Sequence, residues 1–235
     1  MKIMAFEAHP DDIELSCAGT LAKYKALGHD VAIVCVTNGE VGSPTLPKEE
    51  IAAVRRKEAE NSANVIGAEF FWLGYPDEFL FNNPDVRLNF IETIRRFAPD
   101  IIIATDKDND YHPDHTTTGQ IVWDTHVMTT VPNIKTKTKP CGKIADIYFM
   151  DTVAGINFLP DFYVDISDYW DQKQQMVECH KSQAEWLMDQ YNASLVENAA
   201  LHSRFRGYQA GCQYAEGFRK AKFFPESTDK ESLLR

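Results

Sequence analysis

The chain has 235 residues, of which 44% are hydrophobic and 25% charged, and its formal net charge is −11 at pH 7. These values are ordinary for a globular protein, so they exclude disordered, collagen-like and coiled-coil chains. No apolar run approaches the roughly 20 residues of a membrane span, and no secretory signal is visible. Because an acidic chain repels phosphate backbones and anionic lipids, we expect neither a nucleic-acid partner nor a membrane partner.

The cysteines are odd in number and widely spaced, without a C-x-x-C pair. This pattern favours reduced thiols over a disulfide framework or a zinc ribbon, and it predicts a cytoplasmic protein. The five are Cys17, Cys35, Cys141, Cys179 and Cys212.

The first half of the chain alternates strand-like and helix-like segments four times. Apolar, β-branched runs predict strands at residues 2–8, 31–37, 69–73 and 100–105. Helical spacing with start and stop signals predicts helices at residues 15–27, 47–66, 83–97 and 116–127. This alternation predicts a Rossmann-like α/β fold, an open and mostly parallel sheet with helices on both faces.

The second half is less regular. It contains a polar loop at 135–143, strand-like runs at 146–150 and 162–165, a helical stretch at 168–190 and a loose last ten residues. No internal repeat and no flexible linker divides the chain, so a single α/β domain over residues 1–235 is predicted.

A tripeptide occurs twice, each time directly after a predicted strand. His9-Pro10-Asp11 follows the first strand and His112-Pro113-Asp114 follows the fourth. A shuffled chain of this composition would contain far fewer than one such triplet. Alone, His-Pro-Asp is most often a turn that begins a helix, because proline presets φ and aspartate caps the next turn.

Two such triplets at these two strand ends indicate more than turns. In the strand order 3-2-1-4, the carboxyl ends of strands 1 and 4 are neighbours where the order reverses, so we predict the active site there. Several carboxylates in one cleft would repel each other unless a divalent cation is bound between them. Mixed nitrogen and oxygen ligands suit zinc best, with iron, manganese and cobalt as alternatives. The gathered ligand-type residues are His9, Asp11, Asp12, Glu14, His112, Asp114 and His115.

At these residues the chain resembles the PIG-L, or LmbE-like, family of zinc-dependent N-deacetylases. The opening AHPDDIELSCAGTLA resembles the family's first block, with the spacing of the branch that includes bacillithiol-pathway deacetylases, although Ala18 stands where a glycine is usual. The resemblance covers about residues 1–220, and some members carry a mobile tyrosine near the position of Tyr111. Further similar blocks are VTNGEVG (36–42), R-x-x-E (55–58), LGYPDEF (73–79), HPDHTTTG (112–119), CHKSQ (179–183) and YAEGFR (214–219).

The resemblance implies one zinc ion per chain, bound by His9, Asp12 and His115 with a position left open for water. It also implies a hydrolase that removes an N-acetyl group from an N-acetylglucosamine-type sugar or conjugate. Relatives often assemble, which leaves open whether this chain forms a homo-oligomer.

The resemblance further implies how the reaction is divided among side chains. Asp11 would be the general base, His112 would stabilise the oxyanion and protonate the leaving amine, and Asp114 would orient His112. The amino sugar would be held by Arg55, Glu40 and Asp77.

Two other functions remain open at this point. A metal-dependent phosphoesterase would use similar residues around two metal ions about 3.5–4 Å apart. A non-catalytic sugar-binding relative would keep the fold, but it would not need a base such as Asp11 beside the metal.

Overall fold

The computed structural model describes residues 1–224, and the expectation about the last ten residues lies outside them. Within this range one sheet has the strand order β3-β2-β1-β4-β5-β7-β6. The strands are β1 (Lys2–Glu7), β2 (Asp30–Thr37), β3 (Glu69–Tyr75), β4 (Ile101–Ala104), β5 (Asp146–Met150), β6 (Phe162–Asp165) and β7 (Ala215–Lys220). The helices are α1 (Asp12–Ser16), α2 (Ala18–Ala26), α3 (Lys48–Val65), α4 (Pro84–Phe97), α5 (Pro113–Thr125), α6 (Trp170–Val177), α7 (Lys181–Tyr191) and α8 (Leu195–Ala210).

The first five strands pair in parallel, while β7 pairs antiparallel with both β5 and β6. The order 3-2-1-4 puts β1 directly beside β4, with Phe6 opposite Ala104 at their carboxyl ends. The predicted fold class, an open and mostly parallel α/β sheet, is confirmed.

Successive residues of the central strands face opposite sides of the sheet. Ile3 and Ala5 belong to one apolar cluster, together with Leu21 of α2 and Met176 of α6. The intervening residues of β1 belong to a second cluster on the other face, with side chains of α4 and α5. Burial on both faces explains why β1 and β2 are continuous apolar runs rather than alternating ones.

Two predicted helices begin earlier than expected. The helix expected at 15–27 is instead α1 and α2, which are separated by a break at Cys17 with φ −147° and ψ 6°. The helix expected from residue 116 begins at Pro113, because His112 caps it and proline fits the first helical position. Both helices therefore start within their His-Pro-Asp blocks.

The second half holds more structure than the sequence indicated. The helical stretch at 168–190 is interrupted at 178–180, which divides it into α6 and α7. Helix α8 and strand β7 were not predicted at all. Neither shows a clear pattern alone, since α8 has polar, apolar and small residues around its circumference.

A buried ion pair ties these late elements to the first helices. Lys173 of α6 lies with its Nζ 2.6 Å from Oε1 of Glu216 of β7, and it also donates to the backbone oxygen of Leu15 at 2.9 Å. The Glu216 carboxylate accepts from the backbone N–H groups of Gly19 and Thr20 at 3.0 and 2.7 Å. These two N–H groups lie in the first turn of α2 and have no acceptor within the helix. By accepting from both, the Glu216 carboxylate stabilises the start of α2 after the break at Cys17.

Among residues 1–224, no helix is both long enough and apolar enough to cross a bilayer.

We expect Lys173→Met to lower the free energy of unfolding by about 3–5 kcal/mol, because it leaves the buried Glu216 carboxylate without its cation. Lys181→Met, at an exposed position on α7, is the control and should change it by less than about 0.5 kcal/mol. Denaturant unfolding of the two variants makes the comparison. Equal effects would show that the ion pair adds nothing to stability.

Candidate active site

The two His-Pro-Asp blocks meet at the carboxyl ends of β1 and β4. The first block is a tight turn in which the backbone N–H of His9 donates to Oδ2 of Asp12 at 2.7 Å. In the second block, Nδ1 of His112 accepts from the backbone N–H of Asp114 at 3.3 Å and caps α5. Both blocks are therefore helix-starting turns, and the same turns bring their side chains together.

Three predicted metal ligands converge. Nδ1 of His9 lies 3.1 Å from Nε2 of His115, which lies 3.2 Å from Oδ1 of Asp12. Oδ2 of Asp12 lies 3.6 Å from Nδ1 of His9. Ligands about 2.0–2.2 Å from a tetrahedral ion would be about 3.3–3.6 Å apart, so this nitrogen and oxygen set fits a single divalent metal such as zinc.

The electrostatics of the cluster also call for a positive charge. Burial alone would lower the pKa of His115, but the Asp12 and Asp110 carboxylates outweigh it and raise that pKa to about 9. Burial would raise the pKa of Asp12, yet the nearby His115 charge holds it well below its usual value. A proton on His115 thus balances the negative charge of the Asp12 and Asp110 carboxylates, as a bound metal cation would.

Two carboxylates that support the histidines were not predicted in this role. Oδ2 of Asp110 lies 2.9 Å from Nδ1 of His115, the nitrogen that faces away from Asp12. Oδ1 of Asp77, which was expected to hold sugar, lies 3.0 Å from Nε2 of His9. Carboxylates in such positions fix the ring and tautomer of metal-ligating histidines. His9, Asp77 and Asp114 also form a second group of ligand-type atoms within 4.8 Å, and His9, His112 and His115 form another.

Asp11 lies beside the cluster in an unusual backbone conformation, with φ 149°. Its Oδ1 is 3.3 Å from Nη2 of Arg55, a buried side chain that also donates to the backbone oxygens of Pro10 and Gly39 at 3.2 Å. Burial raises the pKa of Asp11 to about 6, although the Arg55 charge opposes the shift. A carboxyl group with such a pKa is suited to accept a proton near neutral pH.

The structure places His112 and Asp114 differently from the predicted pair. The Asp114 carboxylate accepts from the backbone N–H groups of Glu78 and Leu80 at 2.8 and 3.2 Å, and its Oδ2 lies 3.5 Å from Nε2 of His9. The link from Asp114 to His112 is made by the backbone N–H of Asp114, not by its carboxylate. Since this N–H donates to Nδ1, a neutral His112 carries its proton on Nε2, which lies 3.2 Å from Oε1 of Glu78.

The remaining predicted residues are divided between the cavity and its surroundings. Glu40 is not among the residues that line the cavity, and its carboxylate contacts Asn38 and Lys48 at 2.9 and 3.3 Å. Tyr111 does line the cavity and is 68% exposed. Gln183, which sequence analysis noted only within CHKSQ, also lines it and donates to the backbone oxygen of Gly42 at 3.0 Å.

One cavity of about 860 Å³ is lined by most of the predicted site residues, namely His9, Asp11, Asp12, Arg55, Asp77, His112 and His115. The metal cluster, Asp11 and Arg55 form a polar part of its wall, and side chains of α7 and α8 form an apolar part. Helices that were poorly predicted from the sequence thus contribute much of the candidate substrate site.

Comparison with known proteins gives a consistent picture. Residues 4–126, more than half of the chain, match the PIG-L family, described as GlcNAc-PI de-N-acetylase. A diacetylchitobiose deacetylase of Thermococcus kodakarensis is 28% identical over 225 residues, which cover 93% of this chain and 82% of that protein. The structure of the N,N'-diacetylchitobiose deacetylase from Pyrococcus horikoshii superposes with a TM-score of 0.81 at 30% identity, covering 94% of this chain and 83% of that one.

One relative carries a different activity in its name. The 4-oxalmesaconate hydratase of Pseudomonas putida is 23% identical over 240 residues, which cover 96% of this chain and 90% of that protein. The same fold is therefore found in proteins named for two reactions.

We expect wild-type protein, reconstituted with zinc and dialysed, to retain about one ion per chain. His115→Ala should lose most of it, because one of three ligands is gone, whereas His29→Ala, at the remote start of β2, should retain it. Metal analysis by mass spectrometry measures this. Two retained ions would favour the two-metal phosphoesterase. If no ion is retained, His9, Asp12 and His115 are not the metal ligands.

Proposed function

Because the chain belongs to the PIG-L family of de-N-acetylases, we propose that it is a zinc-dependent hydrolase that removes the acetyl group from an N-acetylglucosamine-type sugar or conjugate. The observation that carries this proposal is that Asp11 lines the same cavity as the converging side chains of His9, Asp12 and His115. A binding module would need the cation but not a carboxylate whose pKa is raised to about 6.

We assign the chemistry to the chain's own groups as follows. A divalent ion held by His9, Asp12 and His115 supplies a Lewis acid that polarises the amide carbonyl and makes water more acidic. Asp11 takes the proton of the attacking water, and Arg55 holds its carboxylate in place and partly counters the burial that raises its pKa. His112 donates a hydrogen bond from Nε2 to the developing oxyanion, and Asp11 returns the proton that it took from water to the leaving amine.

The alternative activity within the same fold is hydration of 4-oxalmesaconate, the reaction for which the relative of Pseudomonas putida is named. Both reactions need activated water. We favour deacetylation because amide hydrolysis needs a base that can return its proton to the amine and a hydrogen-bond donor for the oxyanion, and Asp11 and His112 line the cavity together.

The deciding experiment incubates zinc-loaded protein with a panel of N-acetylglucosamine conjugates and measures free amine and acetate. We expect the two products in equal amounts. A parallel assay with 4-oxalmesaconate follows loss of its ultraviolet absorbance. Hydration without release of amine would show that the protein is a hydratase and not a deacetylase.

The two adjacent acids should respond differently to amide substitution. Asp11→Asn should retain zinc but lower kcat by roughly 10²–10⁴, the usual contribution of a positioned base. Asp12→Asn should lose zinc affinity first and regain part of its activity in excess zinc. Zinc retained after dialysis and rate at saturating zinc distinguish the variants. Loss of metal from Asp11→Asn alone would reverse the two roles.

The pH profile should show an acid limb that belongs to Asp11. Since the base must be deprotonated, kcat/KM should rise with pH through the pKa of Asp11, which burial raises above its usual value. Arg55→Met removes the charge that opposes this shift, so its limb should move to higher pH. Arg56→Met, whose side chain is exposed on the same helix, should leave the limb in place. An unmoved limb in Arg55→Met would assign it to another group.

We further propose that residues 1–235 act as one α/β domain on a small amino-sugar substrate. The five free cysteines favour a reducing, cytoplasmic location. Chromatography with light scattering would determine the oligomeric state.

A further inference from the structure

The cavity that holds the candidate metal cluster has an apolar wall built by two helices outside the His-Pro-Asp blocks. Helix α7 and the start of α8 contribute Trp186, Leu187, Tyr191 and Leu195, and the next turns of α8 contribute Leu201 and Phe205. We call these six side chains the apolar wall.

Core packing explains Leu195, which is 3% exposed and clusters with Ala199, but it does not explain the other two α8 side chains of this wall. The buried face of α8 carries Ala199 and Arg206, whereas Leu201 and Phe205, one turn apart, are 56% and 52% exposed. Leaving large apolar groups in water forgoes the stabilisation that burial would bring. They share the cavity-lining face with His202, whose Nε2 lies 2.9 Å from Oδ2 of Asp151 and is thus engaged within the protein.

The aromatic members of α7 continue the same surface. The rings of Trp186 and Tyr191 meet edge to face, with centroids 5.8 Å apart. Tyr191 is 66% exposed, so the wall extends from the metal cavity towards solvent. The six side chains of the wall are apolar apart from the indole N–H of Trp186 and the hydroxyl of Tyr191.

The acetylated sugar at the metal cluster does not require this surface. Its hydroxyl groups need hydrogen-bond partners, which Arg55 and the carboxylates provide in the polar part of the cavity, whereas the three leucines and Phe205 of the wall provide none. The volume of about 860 Å³ is near the upper end of ligand cavities, which hold drug-sized molecules. The site therefore has space and an apolar surface beyond what the amino sugar requires.

We propose that the apolar wall is a binding subsite for an apolar substituent, an aryl or medium-length alkyl group, carried by the amino-sugar substrate. This inference rests on the proposed function, because it assumes that the scissile N-acyl sugar lies at the metal cluster. The substituent is attached either through the glycosidic oxygen or as part of the acyl group.

The test compares substrates that share one sugar. The reference is the methyl β-glycoside of N-acetylglucosamine, the glycosidic arm is its phenyl β-glycoside, and the acyl arm is the methyl glycoside carrying N-hexanoyl in place of N-acetyl. We expect kcat/KM of wild-type protein to rise by at least about tenfold in one arm, as apolar pockets discriminate by such factors. The arm that gains identifies the point of attachment.

Variants locate the effect in the wall. The Leu201→Ala/Phe205→Ala double variant should lose the gain and leave kcat/KM for the methyl glycoside unchanged. Tyr208→Ala is the matched control, because Tyr208 lies on the same helix, is 87% exposed and is not among the cavity-lining residues. This variant should keep the full gain.

Three results would overturn the subsite. A kcat/KM no higher than that of the methyl glycoside in both arms would do so while leaving the deacetylase intact. A gain seen with the N,N'-diacetyl disaccharide but with neither apolar arm would assign the wall to a second sugar. A double variant that changes its mass in solution and loses rate equally on all substrates would make the wall a contact between subunits.

If no substrate is hydrolysed, the proposed function fails and binding decides the subsite separately. Calorimetry with zinc-loaded protein then compares the phenyl and methyl glycosides and free hexanoate. Tighter binding of an apolar ligand by wild type than by the double variant would support the subsite, and equal binding would overturn it.

Discussion

Buried like charges at the carboxyl ends of β1 and β4 are the constraint on which the rest of this structure depends. Carboxylates from both His-Pro-Asp blocks and from the loop after β3 surround the rings of His9 and His115. Such a cluster is stable only if protons, arginine or a metal ion balance its charge. Burial and the neighbouring Glu14 also raise the pKa of Glu7, at the end of β1, well above its usual value.

A second layer of contacts holds the elements that carry these charges. The Glu14 carboxylate of α1 accepts from the hydroxyl of Ser62 of α3, and its Oε1 lies 3.2 Å from Nε2 of the fully buried His180. Glu58 of α3 accepts from the backbone N–H and hydroxyl of Ser182 at 2.9 and 2.6 Å, at the start of α7. These contacts fix α1, and with it Asp11 and Asp12, against two helices from distant parts of the chain.

The same contacts give a physical meaning to sequence blocks that are weak when taken singly. In CHKSQ, His180 pairs with Glu14, and Gln183 reaches the loop after β2. In YAEGFR, Glu216 accepts from the first turn of α2 and pairs with Lys173. The R-x-x-E block places Arg55 against Asp11 and Glu58 against α7. Each block is thus a link between segments rather than a separate site.

The sequence by itself determined the βαβ alternation, the strand order 3-2-1-4 at β1 and β4, and the meeting of His9, Asp12 and His115. These follow from local periodicity and from a general rule about where parallel strands end. Only the tertiary structure decided the atoms that Asp77, Asp110 and Asp114 contact, the exclusion of Glu40 from the cavity, and the apolar wall of α7 and α8. Hydrogen-bond partners far apart in the chain leave no local pattern, and a helix that borders a cavity has apolar residues on more than one face, which hides its period.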